Sequence, residues 1–392
     1  MSLTRRRLFT GTFTSPRGEW ISARGREALT AGDDDGQMAA AGSTLVRISS
    51  NENPLGPGQH VVDAIIGKFP EASRYPFNAT QREGALIGAL AQKFGARPAQ
   101  VVLGPGSGEI LTNAVRTFTS ASRPLVTAWP SFENPRDTAR KIGTPVREVG
   151  FDAKLRIDLA KLVEAAKGAG LVFFCNPNNP TSTVHGKAAV ADTVKAIHAA
   201  SPDTVILIDE AYHDYVTDPL YESAMTIALT TPNVFVTRTL SKAYGMAGLR
   251  AGYGIGDERL IKALNPFRTP YALSTLTLGG AIVALGNQPH IDAERKRNTE
   301  VKAFTVKAFA DLGITGADSQ ANFLFMDIKR PSAGFRAACR AAGVLVGRNF
   351  PPFEQAYCRI SIGTMAEMQR ATAVFKTVLG TATTTSRQPV GR

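Results

Sequence analysis

The chain has 392 residues, 43% hydrophobic and 20% charged, which is enough for two domains sharing a cleft. No apolar run approaches the roughly 20 residues that span a bilayer, and Cys175, Cys339 and Cys358 offer neither a disulfide framework nor the CxxC spacing of a zinc site, so no metal is expected. The net charge of +12 is scattered and comes without a helix-turn-helix, RNP or zinc-finger pattern. It therefore points to an anionic small molecule, or to a basic surface with no specific partner, rather than to nucleic acid.

Residues 1–43 read as an irregular arm. Thr4-Arg5-Arg6-Arg7-Leu8-Phe9 resembles the start of a twin-arginine export signal, but no apolar stretch of roughly 7–15 residues follows it. A poorly ordered arm on a cytoplasmic protein is the expectation, with export as the alternative. Residues 44–78 are expected to join a smaller domain.

From residue 79 to residue 270, short β-branched runs alternate with helical patterns. This predicts an α/β domain with a large, doubly wound, mainly parallel sheet. Its strands are expected at Val101–Leu103, Leu125–Ala128, Leu171–Phe174, Val205–Ile208, Val234–Thr237 and Ala251–Ile255, and Leu86, Leu90 and Phe94 mark a helix stopped by Gly95. Residues 271–380 predict a long connecting helical stretch and a smaller α+β domain. That domain holds a strand over Ala321–Ile328, a helix over Ala333–Ala342, a hairpin-like pair from Val344–Val346 and Arg359–Ile362, and a last helix opened by a Thr364/Glu367 capping box. Residues 381–392 read as a flexible tail.

Thr239-Leu240-Ser241-Lys242 followed by Arg250 sets a lysine among hydroxyls and a guanidinium. Such a lysine suits a Schiff base beside a phosphate: the polar neighbours bind the dianion, while Leu240 and Leu249 shield the amine so that it sheds its proton. Gly104-Pro105-Gly106-Ser107-Gly108-Glu109 lies between a strand and a helical pattern. Backbone N–H groups can face a phosphate there, although such turns are also ordinary connections. The glycines of Gly252–Gly256 read as packing. Asp209 ends an apolar strand, where open α/β sheets bind ligands. It suits a pyridine nitrogen, with Tyr212 reaching the ring's phenolic oxygen, or equally a cap for the next helix. In Asn176–Thr181 the prolines stiffen a loop that makes the Asn179 amide a fixed donor. Phe132 is a candidate stacking ring or a core residue.

Taken in order, Ser49-Ser50-Asn51-Glu52-Asn53-Pro54, Arg74-Tyr75-Pro76, Gly106–Glu109, Asn176–Thr181, Asp209–Tyr212, Ser241-Lys242 and Arg359-Ile360-Ser361-Ile362-Gly363-Thr364 resemble class I/II aminotransferases of the pyridoxal-phosphate fold type I. The likeness is closest to the histidinol-phosphate aminotransferase branch and covers about residues 45–380. It implies pyridoxal 5'-phosphate as cofactor, Lys242 as its Schiff-base lysine, Asp209 as partner of the ring nitrogen, and Asn179 and Tyr212 as donors to the ring oxygen. Ser107, Gly108, Thr239, Ser241 and Arg250 would hold the phosphate, and Phe132 would stack on the ring. Tyr75 would reach the cofactor of a neighbouring subunit, which implies a homodimer. Arg359 would bind the substrate α-carboxylate, with Asn53 and Arg348 as further substrate contacts, in a ping-pong transfer from an amino donor to a 2-oxo acid.

Two departures bear on the substrate. Histidinol-phosphate enzymes usually carry an arginine directly after the Gly-Val-aliphatic-Val run, where this chain has Gly347, with Arg348 one residue later. Aromatic or other amino acids therefore remain open as donors. Ser182 replaces the glycine usual after Asn-Pro-Thr and is expected to alter only the turn. The alternatives are a decarboxylase resembling the threonine-phosphate decarboxylases and, more remotely, a non-enzymatic cofactor-binding regulator.

Overall fold

Along β5 (Leu171–Cys175), β6 (Val205–Asp209) and β7 (Val234–Thr239) every residue is buried. Such near-continuous apolar runs belong to strands covered on both faces. Successive side chains alternate between two cores, as a period of two demands. Val172, Phe174, Ile206, Ile208, Val234 and Val236 enter one core, and Leu171, Phe173, Cys175, Val205, Leu207 and Phe235 the other. The computed structural model in which these strands lie describes residues 45–74 and 79–380, without the side chains of residues 79–82. The arm (1–43), the tail (381–392) and Tyr75 fall outside the described residues.

Seven strands form the large sheet: β2 (Val101–Gly104), β3 (Leu125–Ala128), β4 (Val146–Val149), β5, β6, β7 and β8 (Gly252–Gly256), in the order β2-β8-β7-β6-β5-β3-β4. Only β8 runs against the others. The edge strand β4, Val-Arg-Glu-Val with two exposed central residues, is the one that the apolar-run reading missed. The parallel strands put their carboxyl ends on one side. The turns after β2, β5, β6 and β7 therefore open on the same rim.

Two further two-stranded sheets surround a separate core of Val46, Ile48, Phe309, Leu324, Met326, Phe335, Val344, Ile360, Met368 and Phe375, among others. The hairpin-like pair expected from Val344–Val346 and Arg359–Ile362 does not form. Instead β10 (Val344–Val346) runs parallel to β1 (Val46–Ile48), and β11 (Tyr357–Ser361) pairs antiparallel with β9 (Phe323–Asp327). Both partners lie far away in sequence, and their burial outweighs the proximity that suggested a hairpin. A single bond from the Gly347 N–H to the Arg359 carbonyl, 2.8 Å, joins β10's exit to β11.

The long helical stretch is two helices, Thr275–Gly286 and Gln288–Ala310. They break at Asn287, whose side chain accepts from the His290 N–H at 3.1 Å. The Thr364/Glu367 capping box forms as expected: the Thr364 N–H donates to Glu367 Oε2 at 2.7 Å and the Glu367 N–H to Thr364 Oγ1 at 3.2 Å.

Candidate active site

The turn after β2 enters the helix Ser107–Phe118 through Gly106 at φ 76°. A Cβ on Gly106 would sit 2.1 Å from Arg250 Nη2, so both the backbone and the space require glycine here. No side chain caps this helix. The first-turn N–H groups of Ser107 and Gly108 are thus left for an anion. Open space surrounds Gly108.

From the neighbouring strand ends come the matching cation and hydroxyls. Arg250 Nη1 donates to Ser241 Oγ (3.1 Å) and the Ala247 carbonyl (2.9 Å), while Nη2 donates to the Pro105 carbonyl (3.1 Å). Thr239 Oγ1 donates to Ser241 Oγ at 2.9 Å. Ser107, Thr239, Ser241 and Arg250, singled out from separate motifs, therefore meet in one place.

Lys242 follows directly. Its Nζ lies 3.3 Å from the Ser50 carbonyl and 5.6 Å from the Tyr212 ring. Burial first, then the Arg359 guanidinium, pull its pKa down to about 8; Arg250 adds to this, while Glu52 and Asp209 oppose it. The loop carrying it is fixed at close quarters. Gly245, at φ 67°, has room for no Cβ because the Gly56 carbonyl oxygen would be 2.0 Å away, and Asn53 Nδ2 donates to the Ala243 carbonyl at 3.0 Å. Since Asn53 Oδ1 also accepts from the Leu55 N–H, its amide braces the lysine loop.

Asp209 ends β6, 2% exposed, and does not cap a helix. Its ladder partner on β7 is Thr237, whose hydroxyl donates to Oδ1 at 2.8 Å. Oδ2 has only the Cys175 thiol, at 4.0 Å. Burial pushes the Asp209 pKa up to about 7, against the Thr237 bond. Tyr212 is also buried and meets Phe323 edge-on, ring centroids 4.9 Å apart. Burial holds its hydroxyl well above the ordinary phenol range.

After β5, the asparagines divide their work. Asn176 and Asn178 hold the loop, bonding His185 and accepting from Ser131 Oγ, whereas Asn179 Oδ1 accepts from Arg359 Nη1 at 2.8 Å. With Oδ1 taken, the Asn179 amide presents Nδ2 as a donor. Ser182 adopts φ 61°, which explains why glycine suits that position; its hydroxyl donates to the Thr181 carbonyl. Phe132, next to Ser131, is half-buried against one core.

Arg359 also donates to the Ser49 carbonyl and lies 4.9 Å over the Phe350 ring. Arg348 lies 4.1 Å over the same ring but is ion-paired with Glu133. Gly347 packs so tightly that a Cβ would come within 2.6 Å of the Arg359 carbonyl oxygen. Asn51, Glu133, Thr237 and Ser361 also belong to this neighbourhood and were not singled out from sequence. Nothing local marks them, except that Asn51 falls in a polar Asn-Glu-Asn run and adopts φ 55°.

Pyridoxal phosphate fits these residues on structural grounds. A buried carboxyl that stays lifted to about 7 even with Lys242 pulling it down calls for a closer positive partner such as a protonated ring nitrogen, and the uncapped helix start with Arg250 and Ser241 calls for a phosphate. The fold and site thus suit an α/β enzyme with a phosphorylated cofactor, on a rim where a lysine and a buried carboxyl stand ready.

Comparison with known proteins agrees. Residues 43–375 match the family "Aminotransferase class I and II". The chain is 32% identical over 337 residues to the histidinol-phosphate aminotransferase of Moorella thermoacetica, covering 86% of each, and 34% identical over 344 residues to histidinol-phosphate aminotransferase 1 of Nitrosococcus oceani, covering 85% of this chain and 89% of that one. The structure of the Sinorhizobium meliloti histidinol-phosphate aminotransferase in complex with pyridoxal-5'-phosphate superposes with a TM-score of 0.79 at 26% identity, over 86% of this chain and 92% of that one. This chain belongs to the class I and II aminotransferases. It is a pyridoxal-phosphate-dependent transaminase of fold type I, acting on small amino and oxo compounds.

Proposed function

We propose that the enzyme moves an amino group from an amino acid or amino phosphate to a 2-oxo acid by a ping-pong route, with Lys242 as its covalent and proton-moving residue. The observation that carries this is the convergence, on one rim of the sheet, of a lysine with pKa about 8, a buried carboxyl in need of a cation, and an uncapped helix N-terminus facing Arg250. In this reading the large domain is 79–270 and the small one is built from 271–380 with 44–78.

When bound, pyridoxal phosphate supplies the electron sink that lets the donor's Cα–H bond break. The Ser107 and Gly108 N–H groups, Thr239, Ser241 and Arg250 would hold its phosphate, and Phe132 would cover one ring face. Asp209 would keep a proton on the ring nitrogen, while Asn179 Nδ2 and Tyr212 Oη would donate to the ring oxygen. Lys242 Nζ would take the Cα proton and hand it on to the bound cofactor, a task suited to an amine that exists in both protonation states near neutral pH. Arg359 orients the donor by its α-carboxylate through paired N–H bonds. Because the amino group stays on the enzyme between substrates, the two need never bind together.

Gly347→Ala tests the Arg359 assignment. The added methyl would press on the Arg359 backbone and side chain. An increase of about tenfold in KM for the oxo acid, with kcat changed less, is expected in steady-state assays.

Histidinol phosphate is the donor named for the relatives. A second reading, an aromatic amino acid, is favoured by Gly347 at the usual arginine position and by Glu133 neutralising Arg348. Cofactor bleaching in half-reactions with histidinol phosphate, phenylalanine, tyrosine, arginine and glutamate separates the two. Glu133→Gln removes the negative charge paired with Arg348 and should shift the kcat/KM ratio toward the phosphorylated donor by about tenfold or more. Carbon dioxide release from a single substrate would replace transamination with decarboxylation.

A homodimer is supported by exposed Leu55, Phe69, Phe267 and Tyr271, which flank the mutually packed helices Gln59–Gly67 and Thr275–Gly286. Tyr75 would then serve the partner's cofactor, and sedimentation at micromolar concentration tests the dimer. A cytoplasmic location is proposed, with export as the alternative; no helix among the described residues is long and apolar enough to cross a membrane. Cell fractionation tests the location.

A further inference from the structure

We infer that Asn51 is a positioning residue that sets the donor strength of the Tyr212 hydroxyl toward the cofactor, a role that rests on the aminotransferase reading above. Asn51 is 1% exposed and comes from the segment after β1, 161 residues from Tyr212 in sequence. Its Nδ2 donates to Tyr212 Oη at 3.1 Å. Its own orientation is fixed from the other side: Ser361 Oγ donates to Asn51 Oδ1 at 2.7 Å and accepts from the Asn51 N–H at 2.8 Å. Asn322 Nδ2 donates to the Asn51 carbonyl at 3.1 Å. The amide therefore has its acceptor end on Ser361 and its donor end on Tyr212.

Two consequences follow from hydrogen-bond chemistry. A phenol that accepts one bond directs its single proton elsewhere, here toward the side where the cofactor's ring oxygen would lie. Accepting that bond also makes the O–H a stronger donor, since bonds in a chain polarise one another. Burial, with smaller pushes from Cys175 and Asp209, holds Tyr212 above the usual phenol range, while the Arg359 guanidinium and then the Asn51 bond pull it partway back. Phe323, packed edge-on at 4.9 Å, limits the tyrosine ring's swing. Asn51 thus acts through Tyr212.

The backbone supplies a clean variant. Asn51 sits at φ 55°, in the left-handed region that alanine resists and glycine accepts. Asn51→Gly therefore removes the amide without straining the chain. The proton shared between the bound cofactor's ring oxygen and the Lys242 nitrogen is released more readily when Tyr212 donates strongly. Weakening that donor raises the pH midpoint of the cofactor's visible absorbance.

The test is spectroscopic titration of the cofactor-loaded wild type, Asn51→Gly, Tyr212→Phe and the double variant. Asn51→Gly should raise the midpoint by about half a pH unit, Tyr212→Phe should raise it further, and the double variant should match Tyr212→Phe alone. A midpoint unmoved in Asn51→Gly, or a shift that adds fully to that of Tyr212→Phe, overturns the inference, because a merely structural role would not pass through the phenol. If Asn51→Gly does not fold, Ser361→Ala takes its place: it loosens the Asn51 amide and should raise the midpoint only while Tyr212 is present. A wild type without cofactor absorbance would instead end the aminotransferase reading itself.

Discussion

Lys242→Ala is expected to lower transamination by about 10⁴-fold or more, since it removes both the covalent attachment and the proton carrier. Borohydride reduction should then fix no cofactor to the protein, where the wild type retains it at Lys242. The far-ultraviolet circular dichroism should be unchanged, because Lys242 contributes to a loop and to no core. The pKa near 8, set first by burial and then by Arg359, adds a kinetic prediction. Attachment needs the neutral amine, whose fraction reaches half its maximum at about pH 8 and levels off roughly one to two pH units above that. The rate at which cofactor-free protein takes up pyridoxal phosphate should follow that curve. Transamination within tenfold of wild type in Lys242→Ala would end the assignment.

Asp209→Asn is expected to move stability and activity in opposite directions. In the cofactor-free protein, burial lifts the Asp209 pKa from 3.8 to about 7. Between those values the folded chain holds a proton that the unfolded chain has released. The group's contribution to stability therefore falls as pH rises through this window and is lowest above about 7. The interval corresponds to at most about 4 kcal/mol. Asparagine removes that cost while keeping an acceptor for Thr237. Thermal melts without cofactor should show Asp209→Asn more stable than wild type at pH 8 and indistinguishable from it near pH 4. With cofactor the sign reverses, because the carboxylate then faces a cation: a loss of about 10²–10³ in transamination is expected. Equal melting curves at pH 8 would show that Asp209 is not held in a costly state.

Much of this was legible in the chain. The runs of β5 and β6 and the first half of β7 are apolar up to the strand ends because both faces are covered, so their positions could be read to within two residues. Lys242, Asp209 and the glycine turn were legible because their chemistry depends on immediate neighbours at strand ends. Asn53 was harder. The resemblance implied a substrate contact, but gave no sign that its amide also bonds the lysine loop, a pairing with a segment distant in sequence. β4 escaped because an edge strand with two exposed charged residues lacks the buried pattern.

The sequence by itself determined the doubly wound sheet, the glycine turn after β2 and the hydroxyl-flanked lysine after β7, since local periodicity and strand-end chemistry suffice to specify them. Only the tertiary structure decided that β10 joins β1 and β11 joins β9, that Glu133 neutralises Arg348, and that Asn51 reaches Tyr212. Those pairings close long loops. Such contacts are chosen by the burial and hydrogen bonding of the whole chain, which no short stretch of it records.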